Sequence, residues 1–167
     1  MPPKADNNEI RRLLERLQEV NRVSDGDEGM AQELEPPTTD LTDVPSLQKG
    51  VYLPLSPMVR ERFRFAGSWK NAGLGQRWLS LSEMRTAWTN RSIQKQIRTR
   101  QEHWENAIVA KFPPERLALF GFDADIGDET YLAWTDTRKE PQVILYSDYD
   151  EERFKDLKAC LRYLIRS

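Results

Sequence analysis

The chain predicts an α+β fold: one domain with an antiparallel sheet and helices packed on one side, preceded by an N-terminal helix and a long polar arm. Three observations lead there. Apolar residues Ile10, Leu13, Leu14, Leu17 and Val20 recur at helical spacing. The stretches ETYLAW and QVILYS, separated by TDTRKEP, read as two strands and a turn. The last segment ends in Leu157, Leu161, Leu164 and Ile165, again at helical spacing.

At 167 residues the chain fits one domain and buries one ordinary core. Only 38% of residues are hydrophobic, with a mean hydropathy of -0.73, but five Trp, five Tyr and six Phe each bury a large area. The first helix spans 8–22, and Asp6 with Glu9 suggests a capping box at its start. Residues 24–50, rich in Gly, Pro, Asp and Thr, lose all apolar period and read as a linker or arm. If it is ordered, Leu34, Leu41, Val44 and Leu47 anchor it. The main domain covers 51–167. Pro57 opens a helix that ends near Gly67, and KNAGLGQ makes a turn. A short strand follows at Trp78–Leu81, with Ser80 and Glu83 as a capping box. Residues 92–111 predict the longest helix, ended by Pro113 and Pro114; PERLALF predicts a short one. DYDEERFKDLKACLRYLIRS predicts the closing helix, with Asp150, Glu151 and Glu152 in its first turn and Phe154 on its buried face.

Charge is unevenly spread although the net is only -2. Basic and acidic residues number six and eleven in 1–50, twelve and five in 51–120, and seven and eleven in 121–167. Acidic ends flanking a basic middle steer charged partners. One Cys excludes an intrachain disulfide, and one His excludes a Cys/His zinc site. The N-terminus lacks the apolar run of a secretory signal, and no window reaches the length of a membrane span, so a cytoplasmic setting is expected.

Catalysis finds little support. His103, the only imidazole, sits in a very polar stretch and reads as a surface residue; Cys160 reads as a small hydrophobe on an apolar helix face. The segment DADIGDE resembles part of a calcium loop, but its Gly falls a place early and Trp134 stands where the twelfth-position Glu belongs. Neither cofactor nor metal is expected. Arg85, Arg91, Lys95, Arg98 and Arg100 spread around their helix, diluted by Glu102 and Glu105, which argues against nucleic acid. NAGLGQ lacks the spacing and the Lys-Ser/Thr pair of a phosphate loop.

The remaining candidate is an acidic binding surface. Asp123, Asp125, Asp128 and Glu129 lie on one loop, and Asp148, Asp150, Glu151 and Glu152 on another; both flank the predicted hairpin. Brought together, these eight carboxylates attract a basic partner, and Tyr146 and Tyr149 supply amphipathic contact area. The bland alternative is loop solubility and helix capping.

FPPERLALFGFD, GDETYLAW and PQVILYSDYDEERFKDLKACLRYLI together resemble the C-terminal half of the SUKH (Smi/Knr-like) superfamily. LPLSPMVRERFRFAG is similar to that family's Leu-Pro helix, and GLGQRWLSLSEMRTAW to its Leu-Ser-Leu-Glu helix entry. The pattern covers 53–88 and 112–165; the arm at 24–50 and the long basic helix depart from it. The resemblance implies an antiparallel sheet of six or fewer strands and a non-enzymatic protein binder. Bacterial members of this kind are immunity proteins that neutralise a toxin, often a nuclease, by docking on it. The alternative is a structural or regulatory adaptor in a larger assembly.

Overall fold

A computed structural model describes residues 2–24, 31–136 and 138–167, with side chains described from Asn8 onward in the first helix and through Val23. The elements are α1 (Pro2–Ser24), β1 (Glu33–Leu34), β2 (Val44–Pro45), β3 (Tyr52–Leu53), α2 (Pro57–Phe65), β4 (Trp69–Gly73) and β5 (Gln76–Trp78). There follow α3 (Thr86–Thr89), α4 (Arg91–His103), β6 (Leu117–Asp123), β7 (Asp128–Ala133), β8 (Gln142–Ser147), β9 (Asp150–Phe154) and α5 (Leu157–Arg166).

The fold is α+β. Seven strands form one antiparallel sheet in the order β1-β4-β5-β6-β7-β8-β9, one strand more than the resemblance implies, and β2 pairs with β3 apart from it. The topology is a meander, interrupted between β1 and β4 by β2, β3 and α2, and between β5 and β6 by the excursion that carries α3 and α4. A helix on this excursion lands on one face of the sheet, while α1, α2 and α5 pack on the other. Side chains alternate along β7, which shows the division. Glu129 reaches Gln96 and Arg100 of α4, while Thr130 donates to Gln76 Oε1 (2.6 Å) on the opposite side. Leu145 pairs with Thr130 and lines the same small hollow as Tyr163 of α5.

The core on the α1/α2/α5 side is aromatic. Trp69 stacks edge-on against Trp78 (5.4 Å between centroids), and Trp78 meets Phe120 (4.8 Å). The Arg62 guanidinium lies 4.7 Å from the Phe63 ring centroid, with Trp78 and Phe120 also in range, and donates to the carbonyls of Ala66 (2.6 Å) and Leu79 (3.3 Å). Helix α5 sits so close to the sheet that a Cβ at Gly73 would stand 2.9 Å from Leu164 Cδ1.

Several expectations are corrected. Helix α1 starts at Pro2, so Asp6, whose side chain lies outside the described residues, is not its cap; Glu9 instead accepts from Arg162 of α5 (2.5 Å). The 92–111 helix stops at His103, where the chain turns and Asn106 takes a left-handed backbone (φ 60°), so α1 and not this helix is the longest. PERLALF is a single 3₁₀ turn at Pro114–Arg116 followed by β6. Leu117, Ala118, Leu119 and Phe120 are buried on both faces of a central strand, where a continuous apolar run fits as well as in a helix. The segment 150–154 is a strand rather than a helix start: pairing with β8 dictates it, and the helix begins only after Asp156, which caps it by accepting from Ala159 N (3.0 Å). Phe154 therefore lies on β9, against Tyr163 (5.1 Å between centroids).

Other readings hold. Ser80 and Glu83 form a reciprocal capping box (3.1 and 3.2 Å). The described part of the arm, 31–50, packs on its own domain: Val44 is buried, and Leu34, Leu41 and Leu47 rest against the core. Trp69 Nε1 donates to Gln32 Oε1 (3.1 Å) and Trp88 Nε1 to the Ser46 carbonyl (2.7 Å), which tie the arm down. Among the described residues no helix is long and apolar enough to cross a membrane.

Candidate functional site

The two acidic turns do come together. The β6–β7 turn is a four-residue loop in which Gly127, at φ +85°, supplies the left-handed residue, and its N–H donates to the Asp123 carbonyl (3.0 Å). The β8–β9 turn has two residues, Asp148 (φ 52°) and Tyr149 (φ 67°), both left-handed as a type I′ hairpin requires. Asp148 N–H donates to Asp128 Oδ2 (3.4 Å), which joins the two turns. Helix α4 lies opposite them, and the three segments enclose a cleft of about 470 Å³. One wall carries Lys95, Thr99, Arg100, His103 and Trp104; the other carries Ile126, Asp128, Asp148 and Tyr149.

The floor of the cleft is a charge network. Arg100 Nε donates to Glu129 Oε1 (2.5 Å) and its Nη2 to the Gly127 carbonyl (3.0 Å). Gln96 Nε2 donates to Glu129 Oε2 (2.8 Å), and Tyr131 Oη to Glu129 Oε1 (3.3 Å). The guanidinium stacks 4.3 Å from the Tyr146 ring centroid and 4.8 Å from that of Trp104. Tyr146 Oη donates to Glu151 Oε2 (2.6 Å), which also accepts from Ile108 N (2.9 Å). Burial, and next the hydrogen bond to Glu151, raise Tyr146 above its ordinary value; burial and then Glu129 also raise Tyr131 above its own. Both phenols therefore remain neutral donors.

This geometry sorts the ten sequence candidates. Glu129 is 1% exposed and committed to Arg100, so it meets no partner. Tyr146 is buried, and Asp128, also buried, is raised above its ordinary value by that burial. Glu151 is half-buried and held by Tyr146 and Ile108. Asp123 accepts from Asp125 N and Ile126 N and so braces its own turn. The exposed members are Asp125, Asp148, Tyr149, Asp150 and Glu152. These do not share one face. Strand alternation sends Glu151 toward α4, whereas Asp150 and Glu152 line a smaller hollow of about 230 Å³ beside Tyr163 and Ser167. The expectation of eight carboxylates on a single surface is thus corrected: a helical or loop reading of 148–152 hid the period of two, and four of them are consumed within the domain.

Sequence reasoning missed Ile126, Lys95, Arg100, His103 and Trp104 as parts of this site. The spacing Gln96, Arg100, Trp104 puts three residues on one helical stripe and was the available signal. His103 is exposed, and Cys160 is buried among apolar side chains, its thiol pushed up to about 12 by that burial, too high for a nucleophile. Among the described residues no group of three His, Cys, Asp or Glu is placed to hold a metal ion. No protein-family model, curated protein or solved structure matches the chain.

Proposed function

We propose that this chain is a non-enzymatic protein-binding domain of the immunity type, which neutralises a basic partner such as a nuclease toxin by stoichiometric docking at the mouth of the α4 cleft. One observation carries the reading. Tyr149 occupies the second place of a type I′ turn, where Asp-Gly or Asn-Gly is the favoured pair, and it is 91% exposed. A tyrosine there costs backbone strain and contributes nothing to the core. Strain kept at an exposed aromatic is what a recognition residue accounts for. Ile126, 72% exposed at the neighbouring turn, adds a second apolar contact, and Asp125 and Asp148 lie beside them. These carboxylates speed association with a cationic surface. The resemblance to the SUKH superfamily supports the same class.

The alternative, an adaptor whose 24–50 arm orders on a neighbouring subunit, draws less support, because the described residues 31–50 already pack on their own domain.

The test is affinity capture from the source cell with wild-type protein, Tyr149→Gly and Val23→Asn. Val23 is an exposed apolar residue near the end of α1, lines neither hollow and serves as the control. A bound protein lost with Tyr149→Gly and kept with Val23→Asn is expected. Undiminished capture by Tyr149→Gly together with Asp148→Lys ends the reading.

A further inference from the structure

The geometry points to β9 as a strand-addition site for an extended, basic segment of the partner. This deepens the docking reading and rests on it. β9 is the last strand of the sheet and pairs only with β8. In a two-residue type I′ hairpin the flanking residues, Ser147 and Asp150, exchange both backbone bonds, and bonded and non-bonded pairs alternate from there. Leu145 with Glu152 is then the next bonded pair, and the N–H and C=O groups of Glu151 and Arg153 turn away from β8. Among the described residues no backbone group bonds to that outer side. A row of free backbone donors and acceptors templates another strand.

The side chains select the occupant. Asp150 and Glu152 are exposed on one face of β9, and directly opposed like charges destabilise a strand pair while opposite charges stabilise it. A segment with Lys or Arg at alternate positions satisfies both carboxylates. A second copy of this chain fits worse: antiparallel self-pairing that matches Glu151 with Arg153 sets Glu152 against its own copy. The Glu151 carboxylate is in any case held by Tyr146 and Ile108, and the Arg153 Nε donates to Gln142 Oε1 (2.7 Å). The strand also begins directly after Tyr149, at Asp150, so a segment laid along it starts at the cleft mouth.

The probe is the peptide acetyl-Lys-Val-Lys-Val-Lys-Val-amide added to the full chain, with amide hydrogen exchange read by NMR. Exchange at Glu151 and Arg153 should slow by about tenfold or more at saturation, equivalent to about 1.4 kcal/mol of protection. Arg153→Pro removes an outward N–H that the β8 ladder does not use, and should abolish the protection. Backbone N-methylation of the peptide should do the same without touching the protein. If the peptide binds and shifts Tyr149 or Ile126 signals while both amides exchange as before, strand addition is wrong and cleft docking stands. Failure to bind at all also removes strand addition, leaving the capture experiment to judge the cleft. Protection already present without peptide, together with a dimer in sedimentation, assigns the edge to a second copy and overturns the proposal.

Discussion

Two arginines lie on opposite faces of the same sheet, each stacked on aromatic rings, and they solve the cost of a buried charge differently. Arg62, with none of its surface exposed, lies against rings and the carbonyls of Ala66 and Leu79, with Glu83 in electrostatic range. Burial pulls its guanidinium down to about 9, and its Nε finds no partner. Arg100 has a carboxylate, Glu129, held in turn by Gln96 and Tyr131. The first arrangement joins α2 to the aromatic core through oriented backbone groups. The second pins a helix over a sheet beside an open cleft, and its charges depend on one another. An unpaired buried cation adds bonding direction at the cost of desolvation, whereas a paired one makes each partner indispensable.

The sharpest way to break this comparison is to remove one member of the pair. Arg100→Met leaves Glu129 charged and buried, and should cost about 3–5 kcal/mol in urea unfolding, with Glu129→Leu added on top recovering part of the loss. A double variant whose loss equals the sum of the two single losses would show that the two groups are not coupled. Arg62→Met should cost less, about 1–2 kcal/mol, because the lost bonds to two carbonyls are partly offset by shedding a desolvated charge. Arg62→Lys, which keeps the charge but loses the planar fork, should be the worse of the two. If Arg62→Met proves the costlier site, the contrast between the faces fails.

A smaller effect tests the helix that bears Arg62. Glu140 accepts from Met58 N (3.2 Å) at the start of α2, and burial raises its carboxyl above the ordinary 4.5. The folded chain then holds that proton more tightly than the unfolded chain does. Its contribution to stability is full at low pH and lost as pH climbs from the unfolded value through the raised one. Glu140→Gln should flatten the fall in urea midpoint over that interval; an unchanged slope would locate the titration elsewhere, with Asp128, shifted in the same direction, the next group to replace. The smallest effect belongs to the cleft side. Tyr149→Gly relieves a left-handed tyrosine and should raise stability by about 0.5–1 kcal/mol while weakening capture. A loss of stability would mean that the tyrosine serves the fold.

Local chemistry was enough to read α1, β7, β8, the Ser80–Glu83 box and the body of α5, because the two helices keep a period of 3.6 and the two strands are short runs rich in Thr, Val, Ile and Tyr bounded by polar segments. It also marked Leu34, Leu41, Val44 and Leu47 as the residues by which the arm would attach. β6 escaped because an apolar run buried on both faces has no period to detect. β9 escaped because Asp150, Glu151 and Glu152 suit a helix start as well as an edge strand, and only pairing with β8 settles the choice.

What the sequence by itself determined is the class of the fold, the placing of most of its elements and the charge carried by each stretch. Only tertiary structure decided which charges are free. Glu129 and Asp125 are equally acidic on paper, yet one lies under α4 against Arg100 and the other faces water. The reason is physical: a side chain's availability depends on which face of the sheet its strand register gives it and on what packs there, and both are set by contacts between residues far apart in the chain.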